Sequence, residues 1–322
     1  MVDYRLGSFG DAVTRIQRRL AELGLYTGPL DGIFGGGTAS AVKALQAREG
    51  LTVDGVVGSE TWRVLFQQIE MPPPAIFGES LAYRCLALTG SFETNASPPD
   101  CFCAISGDFD DQGMSLGVLQ WNFGQGSLQP LLQEFMTDYP DVAKRVFQDD
   151  LQVVSAALAA PHDELMGFVR SIQHPIKHAI NEPWRGMART LGRTEEFQRL
   201  QVKHASQFFE RALALCKVYG LKSERAVMLM FDICVQNGSI SELVKTRIVT
   251  DFNRLPNGLD QQEMEIRKMQ IIANRRAEAA NPRWVEDVRS RKLTIANGEG
   301  VVHGVRIDLA NQYGITLAAF SS

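Results

Sequence analysis

The strongest candidates for acid–base chemistry are Glu93, in Thr89-Gly90-Ser91-Phe92-Glu93-Thr94-Asn95, and the aspartates Asp108, Asp110 and Asp111. Two carboxyl groups flanking one bond can divide the work. The protonated one donates to a leaving oxygen, and the ionised one activates water or stabilises developing positive charge. Leu81, Cys85 and Leu88 share one helical face, which predicts a helix from about Phe77 to Leu88, broken at Gly90. Glu93 is then expected just beyond the helix C-terminus, at the negative end of its dipole, and partly desolvated beside Phe92. Both effects favour the protonated form that a general acid needs. Ala104 to Trp121 reads as strand, acidic turn, strand. Three aspartates packed so closely must be solvated, bind a cation or do chemistry. Asp-x-Asp-Asp-x-Gly resembles half a calcium loop, but the twelfth position falls on Leu119, where a bidentate Glu is required.

The elements that must position these groups belong to a chain of 322 residues with 45% hydrophobic and 22% charged residues, a globular composition with room for two domains. A net charge of -4 gives no basic surface for nucleic acid. Cys85, Cys101, Cys103, Cys216 and Cys234 are too few and odd in number for a disulfide framework. The one-residue gap in Cys101-Phe102-Cys103 is too tight for a zinc knuckle, so all five read as core fillers. His174 and His178 have helical metal spacing, but Pro175 spoils the helix. Asn122 to Gly126 is glycine-rich without a phosphate-loop Lys. No metal and no cofactor is expected. The start Met-Val-Asp-Tyr-Arg-Leu-Gly has neither a basic nor an apolar signal region, and no run reaches membrane-spanning length.

An internal repeat occupies the first seventy residues. Asp31-Gly32-Ile33-Phe34-Gly35-Gly36-Gly37-Thr38 recurs, 23 residues on, as Asp54-Gly55-Val56-Val57-Gly58-Ser59-Glu60-Thr61. Each copy is a glycine turn opening a helix, with Gly36 or Gly37, and Ser59, as the expected caps. Val13, Ile16, Gln17, Leu20 and Leu23 mark a preceding helix ended by Gly24. These motifs, with Gln46 and Trp62, resemble the commonest bacterial peptidoglycan-binding domain, a three-helix unit. Glu70-Met71-Pro72-Pro73-Pro74-Ala75 then predicts an extended spacer that tethers two modules and raises the local substrate concentration. The expected domains are 1–69, a spacer at 70–78, and 79–322.

The third stretch, Glu93 followed by an acidic hairpin and Gly-x-Leu-Gln, resembles the lysozyme superfamily. Within it the resemblance is nearest to family 46 chitosanases, with goose-type lysozymes and lytic transglycosylases as cousins. The resemblance implies Glu93 as the acid and, laid on Gly113, Ser115, Gly117 and Trp121, Asp110 as the second carboxylate. The spacing of seventeen residues is one short of that pattern, so Asp108 or Asp111 could serve instead, and Gln112 stands where the family has an Arg. Gln120, Trp121, Asn122 and Asn95 are candidates for stacking on and hydrogen-bonding to sugar, Trp121 equally for core. Met230 to Gly238 resembles a buried helix end of the same family, in which Asp232 would need a partner such as Arg291 or Arg289. The implied fold is mainly α: the three-helix domain plus a lysozyme-like α+β domain of two helical lobes with a small β-hairpin at the cleft.

The expectation is a monomeric muramidase-like enzyme that binds peptidoglycan and cleaves its β-1,4 glycan, with no nucleic-acid or membrane partner. A chitosanase carrying a wall-targeting module and a non-catalytic wall-binding protein are the rivals. Action is expected in the periplasm or on the wall. Release would then come through a holin or a dedicated secretion system, or the signal has been removed.

Overall fold

The computed structural model describes residues 3–68 and 70–320. Met1, Val2, Ile69, Ser321 and Ser322, which include the outer bounds expected for both domains, lie outside the described residues. The chain divides into two compact units, Met1–Cys85 with Phe208–Ser322, and Leu86–Gln207.

The first unit opens with α1 (Asp11–Glu22), α2 (Gly36–Arg48) and α3 (Ser59–Phe66). Val13, Ile16, Leu20, Val42, Leu45, Trp62 and Leu65 interlock as its local core, all at most 1% exposed. Gly24 takes φ +70 just past α1, as the expected stop requires. The helix caps differ from expectation: Gly35 and Gly58, one residue earlier, occupy the N-cap positions with no side-chain bond. The joints are instead held from inside. Gln17 Nε2 donates to Asp31 Oδ1 (2.8 Å) and Ile33 O (2.9 Å), while its Oε1 accepts from Gly32 N (2.9 Å). Gln46 repeats this with Asp54 Oδ1 (2.8 Å), Val56 O (2.9 Å) and Gly55 N (2.9 Å). Thr38 and Thr61 complete the two copies.

The proline segment, expected as an extended spacer, has Pro74 at φ -52 and ψ 138 and is anchored near both ends. Tyr4 Oη donates to Pro72 O, and Ala75–Gly78 coil into a 3-10 turn with Ile76 buried. The segment before α1 also meets the C-terminal part of this unit: Gln312 Nε2 donates to Leu6 O (2.9 Å), and the Phe9 and Tyr313 rings lie 6.0 Å apart. Three extended prolines span only roughly 10 Å, and the contacts of Pro72 and Ile76 fix the two ends of that span.

α4 (Leu81–Thr94) leads from the first unit into the second. There β1 (Ile105–Ser106), β2 (Ser115–Leu116) and β3 (Trp121–Asn122) form a small antiparallel sheet in the order β1-β2-β3. The expected hairpin thus carries a third strand. The sheet rests on α5 (Leu128–Asp138), α6 (Pro140–Phe147), α7 (Leu151–Ala159), α8 (His162–Ser171), α9 (Trp184–Arg193) and α10 (Glu195–His204). Leu116, Phe123, Leu131, Phe135, Leu165 and Leu191 belong to their shared core. Prolines punctuate the helices as the sequence suggests, with Pro140 opening α6, and Pro161 and Pro183 preceding α8 and α9.

The chain returns to the first unit with α11 (Ser206–Tyr219), α12 (Glu224–Asn237), α13 (Glu242–Phe252), α14 (Gln261–Glu278), α15 (Val285–Asn297), the hairpin β4 (Glu299–Val302) and β5 (Val305–Asp308), and α16 (Leu309–Tyr313). Asp232, 0% exposed on α12, meets its expected partner: Arg291 donates from Nε (2.9 Å) and from a terminal nitrogen (2.6 Å). The sequence reading missed Lys292, whose Nζ donates to Asp232 Oδ2 (2.8 Å) and Gln236 Oε1 (2.8 Å). Burial alone would push the Asp232 carboxyl up, but the two cations outweigh it and hold it below the usual range. The architecture is mainly α, with two small sheets. All five cysteines are free and buried, and burial pushes their thiols up, which makes them inert fillers.

Candidate active site

α4 does not stop at Gly90 as expected; it runs on to Thr94. A Cβ at Gly90 would lie 2.9 Å from Val118 Cγ2 and 3.2 Å from Cys101 Cβ. The glycine is therefore a notch that lets the helix close on the sheet. It is tolerated in mid-helix because the packing gained exceeds the ~1 kcal/mol propensity cost. Glu93 lies one turn further on, so it shares the side of α4 that carries this contact. It is exposed, in the helix's last turn, rather than beyond the helix and desolvated. Phe92 turns into the core instead, at 1% exposure. Asn95 follows at φ +55, exposed, with its backbone N–H still bonded to Ser91 O (2.9 Å).

The sheet's first turn carries the aspartates, and it is held by buried amides. Asp108 N donates to Gln173 Oε1 (2.9 Å), and Gly113 N donates to Asp108 Oδ1 (2.8 Å). Arg170 Nε lies 3.9 Å from the other Asp108 oxygen. Asp108 is thus buried and occupied in closing the turn. Asp110 and Asp111 stand exposed at its tip beside Phe109, which is 69% exposed. Among the described residues Asp110 Oδ1 accepts one long bond, 3.3 Å, from Gln112 N. Asp111 takes φ +61, a left-handed position that Asp tolerates better than most side chains.

The residues expected to touch sugar separate here. Trp121 is 9% exposed and belongs to the core, and Asn122 is 8% exposed. Asn122 Oδ1 accepts from Gln125 N (2.8 Å), closing the glycine-rich turn that follows. β3 pairs Trp121 with Leu116, so of its two expected roles Trp121 takes the core one, while Asn122 is engaged in the turn. Gln120 is half-buried at φ +53, its side chain tied to Ser106 Oγ (2.9 Å) and Gly117 O (2.9 Å). The reading also missed Gln201 of α10. Its Oε1 accepts from Val118 N (3.0 Å) and its Nε2 donates to Phe102 O (3.1 Å), so one buried amide ties the β2–β3 turn to the segment before β1. Nothing local could reveal it, because its partners lie 83 and 99 residues away. Among the described residues no group of three or more His, Cys, Asp or Glu is placed to hold a metal.

Residues 9–65 match the protein family described as "Putative peptidoglycan binding domain". The N-terminal resemblance read from the repeat therefore holds. The chain is 42% identical over 74 residues to an N-acetylmuramoyl-L-alanine amidase, CwlM, of Mycobacterium tuberculosis, covering 20% of this chain and 18% of that protein. It is 44% identical over 59 residues to a spore cortex-lytic enzyme of Bacillus cereus, covering 18% and 23%. The chain thus spans about a fifth of the length of these curated relatives. Among solved structures, a chitosanase complex is similar at a TM-score of 0.42 and 16% identity, covering 70% of this chain and 95% of that one.

Proposed function

We propose that the protein is a cell-wall glycan hydrolase. Residues 1–69 act as the peptidoglycan-binding domain, and residues 79–322 as the part that cleaves the β-1,4-linked strand. The observation that carries this reading is the sorting of carboxylates around the small sheet. Asp108 is consumed by the fold, whereas Glu93 and Asp110 remain exposed on a helix and a turn locked to the same sheet. Supporting it, the N-terminal family match supplies a peptidoglycan-binding module, and relatives that share this part are named an N-acetylmuramoyl-L-alanine amidase and a spore cortex-lytic enzyme.

In this reading Glu93 protonates the glycosidic oxygen as the bond breaks. Asp110 then activates a water on the opposite face of the ring, or stabilises the oxocarbenium-like transition state. A rigid helix and a pinned turn suit the work, since the gain from positioning falls steeply with small displacements. The enzyme works as a monomer on the wall. Among the described residues no helix is long and apolar enough to cross a membrane.

The test is turbidity loss of purified peptidoglycan with wild type and Glu93→Gln, with mass spectrometry of the fragments. The substitution is expected to slow lysis by about 10²–10⁴-fold, the usual contribution of a general acid. Fragment ends name the bond and separate hydrolysis from an anhydro product. Equal lysis by the variant removes Glu93 from the mechanism. Reducing ends released from chitosan alone would move the substrate to that polymer, and no activity on either would favour a wall-binding role.

A further inference from the structure

A groove of about 370 Å³ lies in the first unit, where the end of α12 meets the end of α14 and the start of α15. Gln236, Asn237, Arg276, Asn281, Trp284 and Asp287 line it. Two features set it apart. Asn237 Oδ1 and Arg276 Nε are buried atoms without a hydrogen-bond partner among the described residues. A buried acceptor and a buried donor left unmade are costly to a fold, and a ligand toward which the Asn237 and Arg276 side chains turn recovers that cost. Beside them Trp284 is 52% exposed, and the Arg283 guanidinium lies 4.9 Å from the indole centre. A large aromatic held at the rim of a polar groove suits the apolar face of a pyranose ring.

We propose that this groove binds one N-acetylated amino-sugar residue of a glycan chain. The proposal rests on the glycan reading above and deepens it. Trp284 stacks on the sugar ring. The acetamido N–H donates to Asn237 Oδ1, and its carbonyl accepts from Arg276. The remaining Gln236 and Asn281 amides reach the ring hydroxyls. Gln236 is fixed for this, because its Oε1 already accepts from Lys292, which leaves its NH₂ to donate. Asp287, which also lines the groove, is hydrogen-bonded to His303 Nε2 at 2.5 Å. A glucosamine residue would instead bring an ammonium beside Arg276 and lose the acetamido acceptor, so the groove selects the acetylated sugar over the free amine.

The test uses the full chain carrying Glu93→Gln, so that the oligosaccharide survives. The indole N–H resonance of Trp284 is identified by its disappearance in Trp284→Phe, and is followed while the N-acetylglucosamine tetramer or the glucosamine tetramer is added. A saturable shift of this signal with the acetylated tetramer alone is expected, and Asn237→Ala should weaken it about tenfold. A Trp284 signal that stays still while the Trp62 indole moves assigns binding to the N-terminal domain and overturns the proposal. So does equal binding of the glucosamine tetramer, or an Asn237→Ala titration identical to the parent. The two readings fail separately. Lysis that survives Glu93→Gln removes the catalytic assignment but leaves a Trp284 shift standing, whereas normal loss of lysis with a silent Trp284 removes only the groove.

Discussion

The N-terminal joints and the small sheet beside α4 solve one problem with the same device, and differ in what they leave over. In each joint a buried glutamine satisfies a glycine turn from within, Gln17 in the first and Gln46 in the second. Around the sheet Gln173 and Gln201 do the same for the acidic turn and the β2–β3 turn. The joint aspartates, Asp31 and Asp54, are used up by the glutamines and their own turns. Near the sheet Asp108 is used up in closing its turn, while Glu93 and Asp110 are exposed. Acidic residues beside a glycine turn are therefore no sign of chemistry in themselves. What distinguishes the sheet is the acidic side chains it leaves exposed.

The largest effect on stability should come from a third buried polar cluster, against which both regions can be measured. Asp232→Asn leaves Arg291 and Lys292, 1% and 0% exposed, without their counter-charge, and should cost about 3–5 kcal/mol. The pH dependence follows from the lowered carboxyl of Asp232. Its contribution is present above the unfolded-state value and lost as pH falls through the folded one, so wild-type stability should decline below about pH 4. Asp232→Asn should flatten that decline. Urea unfolding of both proteins between pH 3 and 7 checks it, and parallel pH profiles would show that other carboxylates dominate.

Next in size are the amide ties. Gln201→Leu removes the acceptor of Val118 N and the donor to Phe102 O, and should cost about 1–3 kcal/mol. It should also reduce lysis, because the turn it holds is the one packed on Gly90. Gln17→Leu and Gln46→Leu should each cost a similar about 1–3 kcal/mol, equal to one another within error, and leave turnover of soluble glycan fragments unchanged. Unequal costs would show that the two joints, alike in bonding, differ in what they support. Gly90→Ala sharpens the contrast further. Alanine favours the helix by about 1 kcal/mol, but its methyl at 2.9 Å from Val118 should cost about 1–3 kcal/mol, so a net loss is expected. A stabilised Gly90→Ala would mean that the notch is not tight.

How much of this could be read in advance depended on the distance between partners along the chain. The joints were legible because Asp31, Gly32 and Thr38 recur 23 residues later in the same order. Glu93 and the acidic turn were legible as residue types in a short window. The continuation of α4 through Gly90 was not, since the reason for that glycine is Val118 and Cys101. The inward turn of Trp121 depends on the register of β3 against Leu116, and two-residue strands show no periodicity to read. Lys292 was not legible because one cation already answers a buried Asp in sequence, and only the fold shows that each carboxylate oxygen has its own. The proline segment read as a spacer because composition reports stiffness and not what the flanking residues bury.

The smallest structural effect should accompany the most informative functional one. Asp110 is exposed and, among the described residues, makes one long hydrogen bond, so Asp110→Asn should change stability by no more than about 0.5 kcal/mol. Asp108→Asn also keeps the side-chain shape, but it neutralises a buried carboxylate facing Arg170 and can turn an N–H toward Gly113 N, so about 1–3 kcal/mol is expected. If Asp110 is the second carboxylate, its variant loses lysis while unfolding like wild type. The Asp108 variant would then lose lysis only in proportion to the folded fraction lost. The reverse pattern, with Asp110→Asn fully active and folded Asp108→Asn dead, would place the chemistry on the buried aspartate. The exposed tip, with Phe109, would then be left as a surface that meets substrate without acting on it.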